Sequence, residues 1–133
     1  FVEHGYIEPE AGIARRVGNR IEIQACTQAP YMDRDDTAAI LGIAKEDVRV
    51  IPTAVAGGFG SKLDLSVQPY IALAAWLLDR PVRMTYSRQE TMMSTTKRHP
   101  SAIKARISAD KQGKLLSMDF PVKRIPFCSN FST

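Results

Sequence analysis

The sequence lacks a hydrophobic run long enough to cross a membrane, because no apolar stretch in its 133 residues reaches about 18 residues. Its first residues show neither a basic segment nor a continuous apolar segment, so we expect no secretory signal. Cysteine is scarce, since Cys26 and Cys128 are far apart and form no metal-binding spacing. We therefore expect no zinc site, no structural disulfide and a reducing, cytoplasmic setting.

Positive charge is only slightly in excess. The chain carries 18 Lys and Arg against 14 Asp and Glu, a formal net charge of +4. These basic residues are scattered and do not alternate with aromatic side chains, so we expect no nucleic-acid binding. An anionic small-molecule ligand fits the charge, although such an excess is more typical of a solvated surface.

Hydrophobic periodicity predicts a β-hairpin near the start of the chain. Ile21, Ile23 and Ala25 alternate with polar residues after a turn at 17–19, which indicates a strand with one buried face. A helix should follow, capped by Asp33 or Asp35 and ending near Gly42. Its expected buried residues are Ala38, Ile40 and Leu41. The β-branched segment at 46–55 predicts the next strand.

A second helix is predicted after a glycine-rich loop. Pro69 should lie in its first turn, where a missing N–H costs nothing, and Pro81 should follow its end. Its expected buried stripe consists of Val67, Tyr70, Ile71, Ala74, Ala75 and Leu78. A strand at 81–87 and a short helix or loop at 88–98 come next. The chain then predicts a hairpin with Ile103, Ala105 and Ile107 on its buried side.

The order β-β-α-β-α-β-α-β-β predicts an α+β (mixed α/β) fold. We expect two layers, with the helices packed on one face of a mixed β-sheet. Residues 1–120 should form the domain. Residues 121–133 contain two prolines and no clear period, and are expected to be an irregular tail.

The glycine loop "AVAGGFGSK" at 54–62 is the strongest local signal for a ligand. Its spacing matches neither the P-loop nor the dinucleotide-binding fingerprint. Glycines still let the backbone approach a ligand closely, and a helix N-terminus behind them would favour an anionic or oxo-bearing group. The alternative is a tight turn that requires positive φ. Phe59 either fills the core or forms one wall of a pocket.

This loop also carries a family resemblance. "GGFGSK", preceded by "EDVRVI" and followed by "ALAAWLLDRPVRMTYSRQETMMSTTKRHP", resembles the molybdenum-binding large subunit of the xanthine dehydrogenase/aldehyde oxidase family, the molybdenum hydroxylases. "EPEAG" and "ACTQAPY" fit the same family in the same order, and the likeness covers residues 1–120. The chain begins without Met inside a patterned segment, so we expect it to be a fragment of such a subunit.

The resemblance implies an oxidoreductase that hydroxylates an N-heterocycle or an aldehyde with oxygen taken from water. Its cofactor is molybdenum on molybdopterin, often in the cytosine dinucleotide form in bacteria. Two [2Fe–2S] clusters and FAD belong to other domains or subunits, which are the expected partners. The catalytic glutamate of the family lies further along the large subunit, so we expect this chain to be inactive by itself.

Several site residues follow from the resemblance. Gln28 matches the glutamine that hydrogen-bonds an oxygen ligand of the metal, and Gly58, Phe59 and Gly60 match the loop beside it. Gln28 and Phe59 are thus the candidate metal-site contacts. Phe59, Leu63 and Glu8 are the candidate substrate-pocket residues. His99, in a family "RHP" segment, is expected to be structural.

Leu63 departs from one pattern of the family. Purine-oxidising members have a glutamate shortly after the loop lysine, and Leu63 cannot replace its hydrogen bonds. The residue therefore favours an aldehyde or a different N-heterocycle as the small-molecule substrate.

Two alternatives remain open at this level. One is a free-standing anion- or nucleotide-binding module that uses residues 57–62, with Lys62 as its cation. The other is a non-catalytic structural fragment that self-associates into a homo-oligomer through an exposed core surface.

Overall fold

The computed structural model describes residues 4–97 and 101–124, and the chain divides into two units after Lys97. Unit 1 contains, in chain order, β1 (Ala11–Val17), β2 (Arg20–Ala25), α1 (Pro30–Leu41), β3 (Val48–Pro52), α2 (Gln68–Leu78), β4 (Val82–Thr85) and α3 (Arg88–Ser94). Short 3-10 turns lie at Lys45–Asp47 and Ser61–Leu63. Among the described residues, no helix combines the length and the apolar composition needed to cross a membrane.

The sheet of unit 1 is mixed, as predicted. Its order is β3-β2-β1-β4. β1 pairs antiparallel with both β2 and β4, whereas β2 pairs in parallel with β3. A parallel pair requires a crossover connection, which α1 supplies between β2 and β3. The carboxyl ends of β2 and β3 therefore lie side by side at one edge of the sheet.

α1 and α2 cover one face of this sheet, which confirms the two-layer arrangement. The predicted inward residues of β2, Ile21, Ile23 and Ala25, are fully buried and pack in one cluster with Ile71 of α2. Each buried Ile contributes roughly 2 kcal/mol. Gly12 of β1 admits α2 closely, because a Cβ there would lie 2.9 Å from Ile71 Cδ1 and 3.0 Å from the Gln24 carbonyl oxygen.

α1 begins earlier than predicted. Asp33 and Asp35 do not cap it, because Pro30 occupies the first turn, where a missing N–H is harmless, and Ala29 stands at the N-cap. The predicted end is confirmed: Gly42 adopts φ 67° and donates its N–H to the last carbonyls of the helix. Of the expected buried residues, Ala38 is buried and Leu41 partly buried, while Ile40 is exposed.

The buried face of α2 differs from the predicted stripe. Tyr70 and Leu78 are 60% and 63% exposed, and Ala74 is half-buried. A polar residue is the reason, since Gln68 is buried and its Nε2 donates to Asp33 Oδ2 at 3.0 Å. Anchoring the first turn through Gln68 rotates the helix away from the purely apolar stripe. The observed buried set is Val67, Gln68, Ile71, Ala72 and Ala75.

α3 is a helix because it has a complete capping box. Ser87 Oγ accepts from the Glu90 backbone N–H at 3.2 Å, and Glu90 Oε2 accepts from the Ser87 backbone N–H at 2.7 Å. This reciprocal pair satisfies two donors that a short helix leaves open. The backbone bond from Ser87 also lowers the pKa of Glu90.

Unit 2 consists of two separate strand pairs. β5 (Ser101–Ile103) pairs antiparallel with β8 (Val122–Arg124), and β6 (Arg106–Ala109) pairs antiparallel with β7 (Leu115–Asp119). The predicted buried side is wrong, because Ile103, Ala105 and Ile107 are all exposed. A two-stranded ribbon has no second layer on which to bury a face.

Some predictions fall partly or wholly outside the described residues. Val122–Arg124 forms a strand within the segment predicted to be irregular, and residues 125–133, including Cys128, lie outside the description. His99 of the "RHP" segment lies outside it as well. Cys26 is buried and carries a free thiol.

Replacing Asp33 with Asn should change how stability depends on pH. Burial raises the pKa of Asp33 above its ordinary value of 3.8, and repulsion from Asp36 adds to the rise. A carboxyl with a raised folded-state pKa stabilises fully below its unfolded pKa and loses that contribution as the pH rises. Between about pH 4 and pH 7, the free energy of unfolding of Asp33→Asn should therefore increase relative to that of the native protein.

Urea unfolding at the two pH values measures this difference. Asp35→Asn is the matched control, because it removes a half-exposed carboxylate from the same helix. A stability difference between Asp33→Asn and the native protein that stays constant with pH would contradict the expectation.

Candidate functional site

The glycine loop leaves the carboxyl end of β3 and contains three residues with positive φ. Gly57, Phe59 and Gly60 have φ values of 97°, 52° and 93°. The Ser61 backbone N–H closes the turn on the Gly58 carbonyl at 2.9 Å. The predicted positive-φ turn is therefore present. No helix N-terminus stands directly behind it, since a 3-10 turn follows and α2 begins only at Gln68.

Gln28 lies against this loop. β2 ends at Ala25, beside the end of β3, so the residues that follow the two strands meet at one edge. Gln28 Oε1 accepts the Gly60 backbone N–H at 3.1 Å, and the Gln28 backbone N–H donates to the Lys62 carbonyl at 2.9 Å. The structure thus brings together Gln28, Gly58, Phe59 and Gly60, the residues that the resemblance names as candidate cofactor contacts.

The orientation of the Gln28 amide follows from its contact. A backbone N–H can only donate, so the atom that faces Gly60 is the amide oxygen, and the amide nitrogen points elsewhere. The side chain is exposed, so the amide nitrogen lies at the surface of unit 1 beside the loop. Two N–H donors are therefore available at a fixed position beside the loop.

Gly58 makes room for this amide. A Cβ at residue 58 would lie 2.5 Å from Gln28 Oε1 and 2.8 Å from its Cδ. Any larger side chain would have to displace Gln28, so the glycine is required for the contact between the amide and the loop.

Lys62 does not face the solvent. Its side chain is 1% exposed, its Nζ lies 2.6 Å from Glu8 Oε2, and it stands 4.7 Å from the centre of the Tyr6 ring. An ammonium group so placed is not available to a phosphate. The nucleotide-binding alternative therefore loses the cation on which it depended.

The predicted substrate-pocket residues occupy two different places. Phe59 is 65% exposed and Leu63 is also exposed, with Leu63 Cδ1 3.9 Å from the position of a Cβ on Gly60. Phe59 is therefore not a core residue. Glu8 instead lies behind the loop and borders a cavity of about 330 Å³ that also contacts Cys26 and Arg83. Neither Phe59 nor Leu63 lines that cavity.

Sequence reasoning missed a buried polar cluster behind the loop. Tyr6 donates its hydroxyl to Glu10, which is buried, and Thr91 Oγ1 donates to Glu10 Oε2 at 2.6 Å. The Tyr6 hydroxyl also lies 3.3 Å from Ser61 Oγ. Burial raises the pKa of Tyr6, and the bond to Glu10 adds to the rise. The two carboxylates of "EPE" were the only sequence signal for this cluster.

Comparison with known proteins identifies related sequences. Residues 1–123 match the family of molybdopterin cofactor-binding domains. The chain is 38% identical over 113 residues to the nicotinate dehydrogenase large molybdopterin subunit of Eubacterium barkeri, covering 84% of this chain and 27% of that protein. It is 38% identical over 120 residues to a probable xanthine dehydrogenase subunit of Bacillus subtilis, covering 90% of this chain and 16% of that protein.

A solved structure has the same fold. The aldehyde oxidoreductase of Desulfovibrio gigas superposes with a TM-score of 0.69 at 25% identity, covering 87% of this chain and 13% of that chain. The chain thus spans between 13% and 27% of the length of these three relatives.

Gly58→Ala should displace the Gln28 side chain at a small cost in stability. The amide is exposed and can rotate away, so the free energy of unfolding should fall by about 1 kcal/mol, the value of one lost hydrogen bond. Urea unfolding of Gly58→Ala, Gln28→Ala and the double variant tests this cycle. Because Gln28→Ala removes the obstacle, Gly58→Ala should cost little in that background. If the losses in the free energy of unfolding were strictly additive, Gly58 would not be needed for the position of the Gln28 side chain.

Phe59→Asn should keep the free energy of unfolding within about 1 kcal/mol of the native value, because Asn tolerates the left-handed conformation that Phe59 adopts. Thermal or urea unfolding measures the change. Phe59→Val is the control, since a β-branched residue at positive φ should cost roughly 1–3 kcal/mol. A loss of about 3 kcal/mol or more in Phe59→Asn would instead indicate a packed core aromatic.

Proposed function

The chain belongs to the molybdopterin cofactor-binding domains of the molybdenum hydroxylases, the xanthine dehydrogenase/aldehyde oxidase family, and we propose that Gln28 and residues 58–60 contact the molybdenum cofactor. The observation that carries the proposal is the Gln28 amide, whose oxygen is held by the Gly60 backbone N–H and whose nitrogen belongs to an exposed side chain. A neutral, preoriented N–H pair suits an oxygen ligand of a metal, because it donates without adding charge.

The loop geometry fits the cofactor. Gly58 carries no Cβ, and Gly60 adopts a φ of 93°, so the backbone can approach a bound group that side chains would exclude. Gln28 would donate to an oxygen ligand, while the backbone at 58–60 would lie against the cofactor. When bound, the cofactor supplies the two-electron oxidation that hydroxylates a substrate carbon with oxygen from water. The residues of this chain would hold the cofactor and orient it.

Phe59 and Leu63 are proposed to line the substrate pocket. Both are exposed apolar side chains next to residues 58–60, and an aromatic ring can stack edge-to-face on a planar substrate. Leu63 offers no hydrogen bond to a purine. An N-heterocycle such as the substrate named for the nicotinate dehydrogenase relative, or an aldehyde, fits these two side chains.

The remaining parts of the reaction are proposed to lie elsewhere in the assembly. The chain matches only a small part of each relative, and one of these is named as a large molybdopterin subunit. We assign the general base, the [2Fe–2S] clusters and FAD to other domains or subunits, and expect the cytosine dinucleotide form of the cofactor. The chain by itself is then inactive as an oxidoreductase.

Apolar residues on the surface support contact with such partners. Leu77 on α2 and Leu116 on β7 are both exposed, together with other large apolar side chains. In the absence of partner domains, the same residues favour the self-association expected of the structural alternative.

Gln28→Glu tests the cofactor contact. The variant keeps an oxygen that can accept from Gly60, but it loses both amide donors and places a negative charge beside the metal's oxygen ligand. The molybdenum content, measured by elemental analysis, and the pterin content, measured by fluorescence after oxidation, should each fall at least about tenfold.

Gln89→Glu is the matched control, because it makes the same change at an exposed position on α3. Its cofactor content should equal that of the native chain. Equal retention by Gln28→Glu and Gln89→Glu would contradict a role for Gln28. A native chain that retains neither metal nor pterin would contradict cofactor binding by this chain alone.

A further inference from the structure

One carboxylate oxygen joins the two ends of the glycine loop. Glu8 Oε2 accepts the Ala56 backbone N–H at 3.0 Å, just before the loop, and the Lys62 ammonium at 2.6 Å, just after it. The span between these two contacts contains all three positive-φ residues of the loop, Gly57, Phe59 and Gly60. A single side chain from a distant part of the sequence therefore closes the loop at its base.

The two charges of this pair are not equally solvated. Lys62 is 1% exposed, whereas Glu8 is 26% exposed. A buried ammonium without its counter-charge is strongly destabilising, while a partly exposed carboxylate can be hydrated when its partner is lost. The loop therefore depends more on Glu8 than on Lys62. The Tyr6 ring, 4.7 Å from Lys62 Nζ, adds a smaller attraction.

Glu8 is itself held in place from both sides. Arg88 donates to the Ile7 carbonyl at 2.6 Å, and the buried Glu10 accepts from Tyr6 and from Thr91. Both contacts with α3 anchor the segment at residues 6–10 to the body of unit 1. The carboxylate is thus a fixed point against which the loop is positioned.

The pair reaches the candidate cofactor contact through the backbone. Lys62 accepts the Gln28 backbone N–H through its carbonyl, and Gly60 donates to the Gln28 side chain. Moving Lys62 therefore moves both groups that orient the Gln28 amide. We infer that Glu8 and Lys62 are positioning residues that hold the glycine loop and, through it, the Gln28 donors. The role of the Gln28 donors rests on the proposed cofactor site, whereas the role of Glu8 and Lys62 in holding the loop does not.

Hydrogen exchange of the ¹⁵N-labelled full chain, without cofactor, tests directly whether Glu8 and Lys62 hold the glycine loop. In Glu8→Gln, the amides of Ala56, Gly60 and Gln28 should exchange at least about tenfold faster, because the base of the loop opens. In Lys62→Met the increase should be smaller. The double variant should exchange more slowly than Glu8→Gln, because removing the ammonium removes the buried unpaired charge.

Glu22→Gln is the matched control. It removes a carboxylate that pairs with Arg15 at 2.7 Å and Arg49 at 3.1 Å on the solvent-facing side of the sheet. It should leave exchange at the loop unchanged. In every variant, the Ile71 amide in α2 reports global opening, and in Glu8→Gln its exchange should accelerate less than that of the loop amides. If the loop amides of Glu8→Gln exchange as in the native chain, or only in step with Ile71, the inference is overturned.

Cofactor retention is measured separately on the same variants. Faster loop exchange together with a loss of molybdenum and pterin supports both the positioning role and the proposed site. Faster loop exchange with unchanged retention supports the positioning of the loop and overturns the link to the Gln28 contact. Unchanged loop exchange overturns the positioning role, whatever the cofactor content of Gln28→Glu.

Discussion

The parallel pairing of β2 with β3 determines where the candidate site lies. Parallel neighbours end at the same edge of a sheet, so the segment after β2 and the loop after β3 must meet there. The first provides Gln28 and the second provides residues 57–60, although about thirty positions separate them in the sequence. α1 makes this pairing possible as the crossover, and the contact between Asp33 and Gln68 ties α1 to α2. The packing of the helix layer and the position of the site therefore have a common origin.

Much of the fold could be predicted from local pattern. Alternation identified β2, the glycine at residue 42 marked the end of α1, and Pro69 marked the start of α2. Predictions failed where a polar residue is buried or where no second layer exists. Gln68 belongs to the core because Asp33 supplies its partner, and no hydrophobic period contains that information. Ile103 and Ile107 alternate as a buried strand would, yet they lie in two separate strand pairs and both are exposed.

In the candidate site, too, features within one short segment could be predicted from the sequence, whereas contacts between distant segments could not. The glycine loop and Gln28 were found from sequence, the loop by composition and Gln28 by resemblance. The residues behind the loop were not, because Glu8 and Lys62 lie 54 positions apart and Glu10 and Thr91 lie 81 apart. Lys62 in particular was treated as a candidate anion ligand. Its burial could be recognised only once Glu8 was placed beside it.

The loop has positive φ at three of four consecutive positions. Its glycines impose little conformational preference, because glycine adopts positive and negative φ about equally readily. Phe59 adds strain, because a residue with a Cβ disfavours the left-handed region that it occupies. Such a loop keeps one shape only if its surroundings impose it. Gln28 holds one side through Gly60, and Glu8 holds the base through Ala56 and Lys62. The ion pair with Glu8 thus makes Lys62 unavailable to a ligand and, at the same time, fixes the loop on which the proposed cofactor contacts lie.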